Sequence, residues 1–438
     1  MRPSTTHKSS KGKSPSQLLR TSANLDAAWR QVRSNSERSQ SAEIREESRS
    51  FEKNTSSKLK SIQTRLCRDR FVFKPAKGIT VRRKGKKPRP IVVAPVESRI
   101  VQRALLNIVQ EVPVIKSALT AGFNFGGVPG PGFGVPAAIA KAIRTMGNSG
   151  YFIRTDIKSF FVDIPRAKAV DAILTHIDDT QFGDVFRKAT ETELADMAKL
   201  GEDAKLFPIE QAGVAQGSAL SPLLCNYLLR DFDHAMNARG ITCIRYIDDF
   251  IIFAKNKSVA FKALDGAIAI LKGLGLEAYN PNKPEHAGKA DHGPTSGPIE
   301  FLGCEITLKR VRPLRSKYQS LYERVDAIFD DCITALASPE RAALSTDGRH
   351  TFSGAIAAAS NVIRGWGNTY SFCNDDQLMR NIDIELDARL ANFEARFSRK
   401  IKCMSSIDRR RVIGLFLVND CNKDEGAESP RFSARALV

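Results

Sequence analysis

No stretch of this 438-residue chain stays apolar for the ~20 residues that a membrane span requires. Its start, MRPSTTHKSSKGKSPSQ, lacks the apolar core of a secretory leader. The eight cysteines include no C-x-x-C pair, and no histidine pair completes a zinc pattern. Most of them sit in apolar stretches, where a free thiol packs as a small hydrophobe. A cytoplasmic protein without membrane contact or structural zinc is therefore expected. G-x-G-x-x-G and G-x-x-x-x-G-K-[ST] are both missing, so an ATPase reading has no phosphate loop to stand on. No internal repeat of about 20–50 residues is visible, which sets solenoids aside.

What is present in excess is positive charge. The chain carries 67 Lys and Arg against 48 Asp and Glu, a formal net charge of +19. Residues 1–100 hold 25 of those cations and only 8 of the acids, so the imbalance is concentrated in the first quarter. A basic end of this kind fits a polyanionic partner, nucleic acid before membrane, because nothing nearby is strongly amphipathic. The blander reading is a solvated basic tail. With 42% hydrophobic and 26% charged residues, the rest is ordinary globular protein.

Residues 1–24 are rich in Ser and Lys and are expected to be disordered. From Leu25 to Arg68, Leu, Trp, Ile and Phe recur at loosely helical spacing in a polar background. FVFKPAKGITVRRKGKKPRPIVVAP (71–95) reads as two β-rich runs joined by a basic turn. After Pro95 a helix is expected, with Ile100, Ala104, Leu105 and Ile108 on one face. GGVPGPGFGVP (126–136) is punctuated too densely for a regular element. A short helix over 137–145 and a strand over 151–157 follow.

Two Asp-bearing strand ends carry the chemistry. In YFIRTDIKSFF (151–161) an apolar strand runs into Asp156 and then two aromatics. In CIRYIDDFIIF (243–253) two apolar runs flank Asp248 and Asp249, the pattern of a hairpin with acids at its tip. Adjacent carboxylates in an apolar frame repel one another. A divalent cation relieves that cost, and Mg²⁺ suits a few carboxylates because water and substrate phosphates complete its shell. Two such ions about 3.5–4 Å apart can activate a 3′-hydroxyl and stabilise a leaving pyrophosphate. A lone double Asp in a hairpin is ordinarily turn chemistry; further motifs in a fixed order weigh against that here.

Tyr246-Ile247-Asp248-Asp249 resembles the Y-x-D-D box of reverse transcriptases, and Asp156 with Phe161 resembles their preceding Asp-plus-aromatic motif. Between them, Gly213-Val-Ala-Gln216-Gly217-Ser-Ala-Leu-Ser221-Pro222 through Asn226 is similar to their Q-G-x-x-x-S-P…N block. Upstream, Lys87-Pro-Arg89-Pro90 through Pro95, and Arg99-Ile-Val-Gln102, resemble blocks of group II intron and related bacterial enzymes. Glu97-Ser98 departs from the Asp usual before that Arg. Downstream, Leu274-Gly-Leu-Glu-Ala, Asn282-Lys283 and Phe301-Leu302-Gly303 resemble the last palm motifs, and Ile363-Arg364-Gly365-Trp366-Gly367-Asn368-Thr-Tyr370 a thumb motif. The resemblance runs from about Leu25 to Asn392.

That resemblance implies an α+β right-hand polymerase: fingers, a palm with an antiparallel sheet, a helical thumb and a basic N-terminal extension. The implied divisions are a tail at 1–24, N-terminal helices and fingers at 25–150, palm at 151–310, thumb at 311–400 and a tail at 401–438. It implies RNA-directed DNA synthesis with two Mg²⁺ ions held by Asp156, Asp248, Asp249 and the carbonyl of Ile157. Phe161 falls where the family has its gate against a ribose 2′-hydroxyl. Phe160 is expected to pack into the core, because strand neighbours point to opposite faces. Gln216 is expected against the incoming dNTP and Gly217 against the template. Arg89 and Arg99 are expected to grip the triphosphate, since Arg makes bidentate phosphate contacts. Arg82, Arg83, Lys84, Lys86 and Lys87 are expected along the template, and Leu302 and Gly303 near the primer end. Lys283 is a candidate proton donor to pyrophosphate, its alternative being a solvated loop lysine. Trp366 is expected among the thumb helices.

No Cys/His cluster of an intron endonuclease and no RNase H acids follow the thumb. The expectation is a compact bacterial enzyme paired with a non-coding RNA template, of the kind that includes defence-associated reverse transcriptases; its products are cDNA, and its oligomeric state is open. Two competitors are an RNA-dependent RNA polymerase, which would want a polar 2′-hydroxyl reader at Phe161, and a non-catalytic splicing helper, which intact acids at all three positions oppose.

Overall fold

Ser14 opens the first helix of the computed structural model, which describes residues 12–418 apart from 40, 84–85, 209–211, 239, 344–348 and 416. Helix α1 (Pro15–Leu19) starts with a capping box: the Ser14 hydroxyl accepts from the Gln17 amide while the Gln17 side chain accepts from the Ser14 amide. Helices α2 (Ser22–Glu37), α3 (Ala42–Glu52) and α4 (Thr55–Cys67) follow, the first two capped by the hydroxyls of Thr21 and Ser41. Leu25, Trp29, Phe51 and Ile62 are buried in the main core, each such burial being worth about 1.5–3 kcal/mol. The expected disordered tail does not hold for residues 12–24. Leu19 is only 3% exposed, and the Ser16 amide donates to Asp179 Oδ2 at 2.8 Å, so a short capped helix docks where composition suggested none. Residues 1–11 lie outside the described residues.

Strands β1 (Lys77–Arg83) and β2 (Lys86–Val93) form a two-stranded antiparallel ribbon around the basic turn. Pro95 then starts α5 (Val96–Val109), whose Ile100, Ala104 and Leu105 are fully buried. Helices α6 (Pro113–Leu119) and α7 (Val135–Met146) flank the Gly/Pro loop.

Next come β3 (Tyr151–Asp156), α8 (Phe160–Asp163), α9 (Arg166–Leu174), α10 (Thr180–Thr190), α11 (Met197–Leu200), α12 (Ser221–Leu228) and α13 (Arg230–Met236). Then β4 (Thr242–Tyr246), β5 (Asp249–Ala254), α14 (Lys257–Gly273) and β6 (Asp291–Pro294) complete a four-stranded sheet, ordered β4-β5-β3-β6 and antiparallel throughout. The run Phe250–Ala254 is buried at every position, as a continuous apolar strand should be. Helix α14 packs on β3 and β5, and α7 and α13 pack on β4.

The chain divides into two compact units at Gly297/Pro298. The second holds a small antiparallel sheet of β7 (Ile299–Phe301), β8 (Cys304–Ile306) and β9 (Val311–Pro313), a stretch that sequence grouped with the palm. Its helices are α15 (Arg315–Ala335), α16 (Pro339–Ala343), α17 (Phe352–Tyr370), α18 (Asp376–Ile401) and α19 (Ser406–Ile413). Their core stacks Phe329 on Phe393 at 4.3 Å between ring centroids. Helix α19 occupies part of the expected C-terminal tail: Val412 is fully buried, and Arg411 pairs with Glu340 at 3.3 Å. No helix among the described residues is long and apolar enough to cross a membrane.

Candidate active site

Antiparallel pairing sets Asp156, the last residue of β3, directly opposite Asp249, the first of β5, so their side chains share one face of the sheet. Tyr246 pairs with Asp249 across the β4–β5 hairpin, which leaves Ile247-Asp248 as a two-residue loop and puts Asp248 at its tip. The Ile157 amide donates to the Asp248 carbonyl at 3.0 Å, and the Tyr279 amide to the Asp156 carbonyl at 3.1 Å, fixing both strand ends. Burial, then the charge of Asp156, pushes the Asp248 carboxyl up to about 6. Burial, then Asp248 and Asp156, pushes Asp249 up to about 7.

These are the electrostatics of buried, mutually repelling carboxylates. Among the described residues, no group of three or more His, Cys, Asp or Glu side chains is preformed to hold a metal ion. The donor set still fits Mg²⁺, which needs only one or two carboxylates and takes its other oxygens from water and phosphate. One cation already answers the repulsion: Lys289 Nζ lies 3.1 Å from Asp156 Oδ2. Sequence reasoning missed Lys289; Lys283, its candidate proton donor, is a separate residue. Lys283 is exposed on the loop before residues 284–286, where its charge acts on Glu277.

Beside this face, Phe161 and Gln216 line a cavity of about 530 Å³ together with Gly217, Ile91 and Arg99. A larger cavity of about 1070 Å³ lies between Phe71, Phe73, Arg166 and Leu224; the three aspartates line neither. Phe160 is 2% exposed and belongs to the core, while Phe161 is half-buried. The separation follows from a different cause than the one expected. Both residues lie in α8, which opens at Ser159 with φ +45°, rather than in a strand. Gly217 has φ +126°, and a Cβ there would collide with the Val92 carbonyl oxygen. That close approach belongs to a bridge in which the Val92 amide donates to the Gln216 carbonyl at 2.8 Å.

The expected phosphate ligands differ in state. Arg89 is exposed, and its charge reaches Asp248 and favours the ionised carboxylate. Arg99 is engaged otherwise: it holds Glu47 of α3 at 2.5 Å and the Ser36 hydroxyl of α2 at 3.0 Å. Its guanidinium ties the N-terminal helices to α5, a job that the isolated motif does not reveal. Arg82 pairs with Asp203 at 2.7 Å on the surface. Lys84 lies outside the described residues, as do the side chains of Arg83, Lys86 and Lys87. In the second unit, Leu302 and Gly303 form the two-residue β7–β8 turn with φ +49° and +82°, both in the left-handed region that such hairpins favour. Trp366 donates from Nε1 to the Lys317 carbonyl at 3.3 Å within the helical core.

An antiparallel sheet that sets Asp156 opposite Asp249, with Asp248 at the adjoining hairpin tip, frames the site, and comparison with known proteins supplies the family. The profile of the reverse transcriptase (RNA-dependent DNA polymerase) family matches residues 81–306, just over half of the chain. The chain therefore belongs to the reverse transcriptase family and carries its RNA-directed DNA polymerase domain. Protein YkfC of Escherichia coli K12 is 26% identical over 280 residues, which cover 54% of this chain and 68% of YkfC. The 91 kDa protein in the cob intron of Schizosaccharomyces pombe is 27% identical over 170 residues, 38% of this chain and 19% of that protein. A solved telomerase from Candida albicans aligns with 76% of this chain and 59% of its own at 11% identity and a TM-score of 0.40. The chain thus spans about a fifth of the fungal intron protein and under two thirds of the telomerase. The mixed α+β fold accords with the family, whose members use divalent metal.

Proposed function

We propose that this protein copies an RNA template into cDNA by nucleotidyl transfer at Asp156, Asp248 and Asp249. The observation that carries the reading is the trio itself: Asp156 faces Asp249 across two strands with Asp248 at the adjoining tip, and burial with mutual repulsion raises both hairpin carboxyls despite Lys289 nearby. The three carboxylates would hold two Mg²⁺ ions, with the Ile157 carbonyl as a further ligand. Bound Mg²⁺ would make the primer 3′-hydroxyl a better nucleophile and offset charge on the leaving pyrophosphate. Phe161 excludes the 2′-hydroxyl, Gln216 seats the incoming dNTP, and Arg89 grips its triphosphate. Gly217 lets backbone approach the template, whose phosphates run along Arg82, Arg83, Lys84, Lys86 and Lys87.

The template we assign is a non-coding RNA bound by the protein in the cytoplasm, with antiphage defence as the biological setting. Support for the template is the basic first quarter of the chain; support for the setting is the family resemblance alone. The test is primer extension on a defined RNA template with dNTPs or rNTPs, alongside the Asp248→Asn variant. Mg²⁺-dependent dNTP incorporation that the variant loses is the expected result. Incorporation of rNTPs at equal efficiency, or full activity in Asp248→Asn, would overturn it. Sequencing the RNA that co-purifies, and plaque counts with and without the gene, check the finer assignments.

A further inference from the structure

Among the described residues, Arg245 is the largest side chain that is fully buried, at 0% exposure, and it lies three residues before Asp248. Its guanidinium makes two parallel bonds to Asp233 of α13, Nε to Oδ1 at 2.7 Å and Nη2 to Oδ2 at 2.6 Å. Bidentate pairing satisfies the charge in this dry setting. The third nitrogen, Nη1, is aimed elsewhere: it donates to Asn226 Oδ1 at 3.0 Å and to the Ile247 carbonyl at 2.9 Å. From the other side, Asn124 Oδ1 accepts from the Ile247 amide at 3.3 Å. Both backbone polar groups of Ile247 are thus held by buried side chains.

Ile247 needs holding. Its φ is +61°, and a β-branched residue in the left-handed region is a genuine outlier. Such strain persists only where the surroundings over-determine it. Gly126 completes the cradle: a Cβ on it would stand 2.6 Å from Ile247 Cγ1, and its carbonyl accepts from both Asn124 Nδ2 and Asn226 Nδ2, at 3.0 and 2.8 Å. Segments at 124–126, 226 and 233 thus meet the 245–247 arm of the hairpin here, and the two peptide units that flank the Ile247 α-carbon are each held by a side chain, Asn124 on one and Arg245 on the other.

We propose that Arg245, oriented by Asp233 and assisted by Asn124, is a positioning residue that locks the left-handed turn at Ile247 and so sets where the Asp248 carboxylate points. The inference rests on the assignment of Asp248 as a metal ligand. A buried ion pair serving stability alone would not need its third nitrogen on the peptide that follows the strained residue, nor a second side chain on the peptide that precedes it. A displacement of about 1 Å at a reacting centre can cost on the order of 100-fold in rate.

The test uses the full chain with Arg245→Lys, which keeps the charge but loses the forked geometry, and Asn124→Ala, which leaves the ion pair intact. The readouts are amide hydrogen exchange at Ile247 and Asp248, Mn²⁺ affinity, and single-turnover extension at saturating dNTP. Both variants should exchange faster at those two amides while β3 and β5 stay protected. Both should bind Mn²⁺ at least tenfold more weakly and extend about 100-fold more slowly with dNTP affinity little changed. Adding Ile247→Gly, which takes positive φ without steric cost, should recover much of the Mn²⁺ affinity in Asn124→Ala. Lower melting temperatures with unchanged turn exchange and unchanged Mn²⁺ affinity would reduce the network to a structural ion pair and overturn the proposal. A wild type that binds Mn²⁺ at the trio but incorporates no nucleotide would instead sink the proposed function and leave the clamp standing.

Discussion

Lys289 Nζ lies 3.1 Å from Asp156 Oδ2, reaching the carboxylate from the turn just before β6. The β3–β6 register ends with Arg154 opposite Asp291, and past that point the Asp156 carbonyl accepts from the Tyr279 amide instead. The lysine is 57% exposed, and its hold on the carboxylate is that of a partly screened pair, worth at most about 1 kcal/mol. It competes for the oxygen that a metal would take.

Lys289→Gln should therefore tighten Mn²⁺ or Mg²⁺ binding by up to about fivefold, the equivalent of that ~1 kcal/mol, with little change in melting temperature. Calorimetric titration of wild type and variant checks it. Weaker binding in the variant would mean that the ammonium orders Asp156 for the metal rather than competing with it.

The metal-free protein should lose stability as pH rises. In the folded state Asp248 and Asp249 hold protons up to about 6 and about 7, whereas an unfolded carboxyl releases its proton near 3.8. Between those limits the folded state binds more protons, so stability is fully present below the unfolded value and declines through pH 6 and 7. Each tenfold difference in proton affinity corresponds to roughly 1.4 kcal/mol. Urea melts in EDTA at pH 5 and pH 8 should show the drop, and Asp249→Asn should flatten it. A flat wild-type profile would mean that neither burial nor mutual repulsion raises these carboxyls.

Gly217→Ala should damage both fold and activity. Its φ of +126° disfavours any Cβ, and the added carbon meets the Val92 carbonyl oxygen, which is backbone and cannot swing aside. A cost of about 1–3 kcal/mol is expected from the strain, with loss of primer extension at temperatures where the variant remains folded. Normal extension at such temperatures would separate this bridge from the catalytic cleft.

The aspartate trio was legible because carboxylates interrupt otherwise unbroken apolar runs, and only a strand end or hairpin tip accommodates that interruption. Lys289 was not: AGKADHGPTSG is full of turn formers, and nothing in it announces that Asp291–Pro294 pairs with β3. The Arg245–Asp233 pair was hidden for a related reason, since a helical Asp and a strand Arg twelve positions apart carry no common pattern. Helix α1 escaped notice because two leucines in a Ser/Lys background give too little periodicity, and its docking on Asp179 is a long-range bond. Arg99 was recognised as a motif residue, yet its partner Glu47 is visible only once α3 is placed.

The choice of sugar rests on two adjacent phenylalanines with different surroundings. Phe160, at 2% exposure, is enclosed by the core, whereas Phe161 is half-buried and lines the cavity that Gln216 and Gly217 also line. Their ring centroids are 5.8 Å apart in an edge-to-face contact, so both single variants are needed to separate the two roles. If Phe161 fills the space of a 2′-hydroxyl, a ribonucleotide reaches alignment only by displacing the ring or its own sugar, and a misplacement of about 1 Å costs on the order of 100-fold. Phe161→Ala should then admit rNTPs while retaining dNTP synthesis. Phe160→Ala should cost about 3–5 kcal/mol of stability through the cavity it leaves, with sugar preference unchanged in the fraction that folds. The ratio of dNTP to rNTP incorporation efficiency, measured for wild type and both variants below the melting temperature of Phe160→Ala, decides the matter. Control of that ratio by Phe160, or equal use of both sugars by the wild type, would remove Phe161 from the gate.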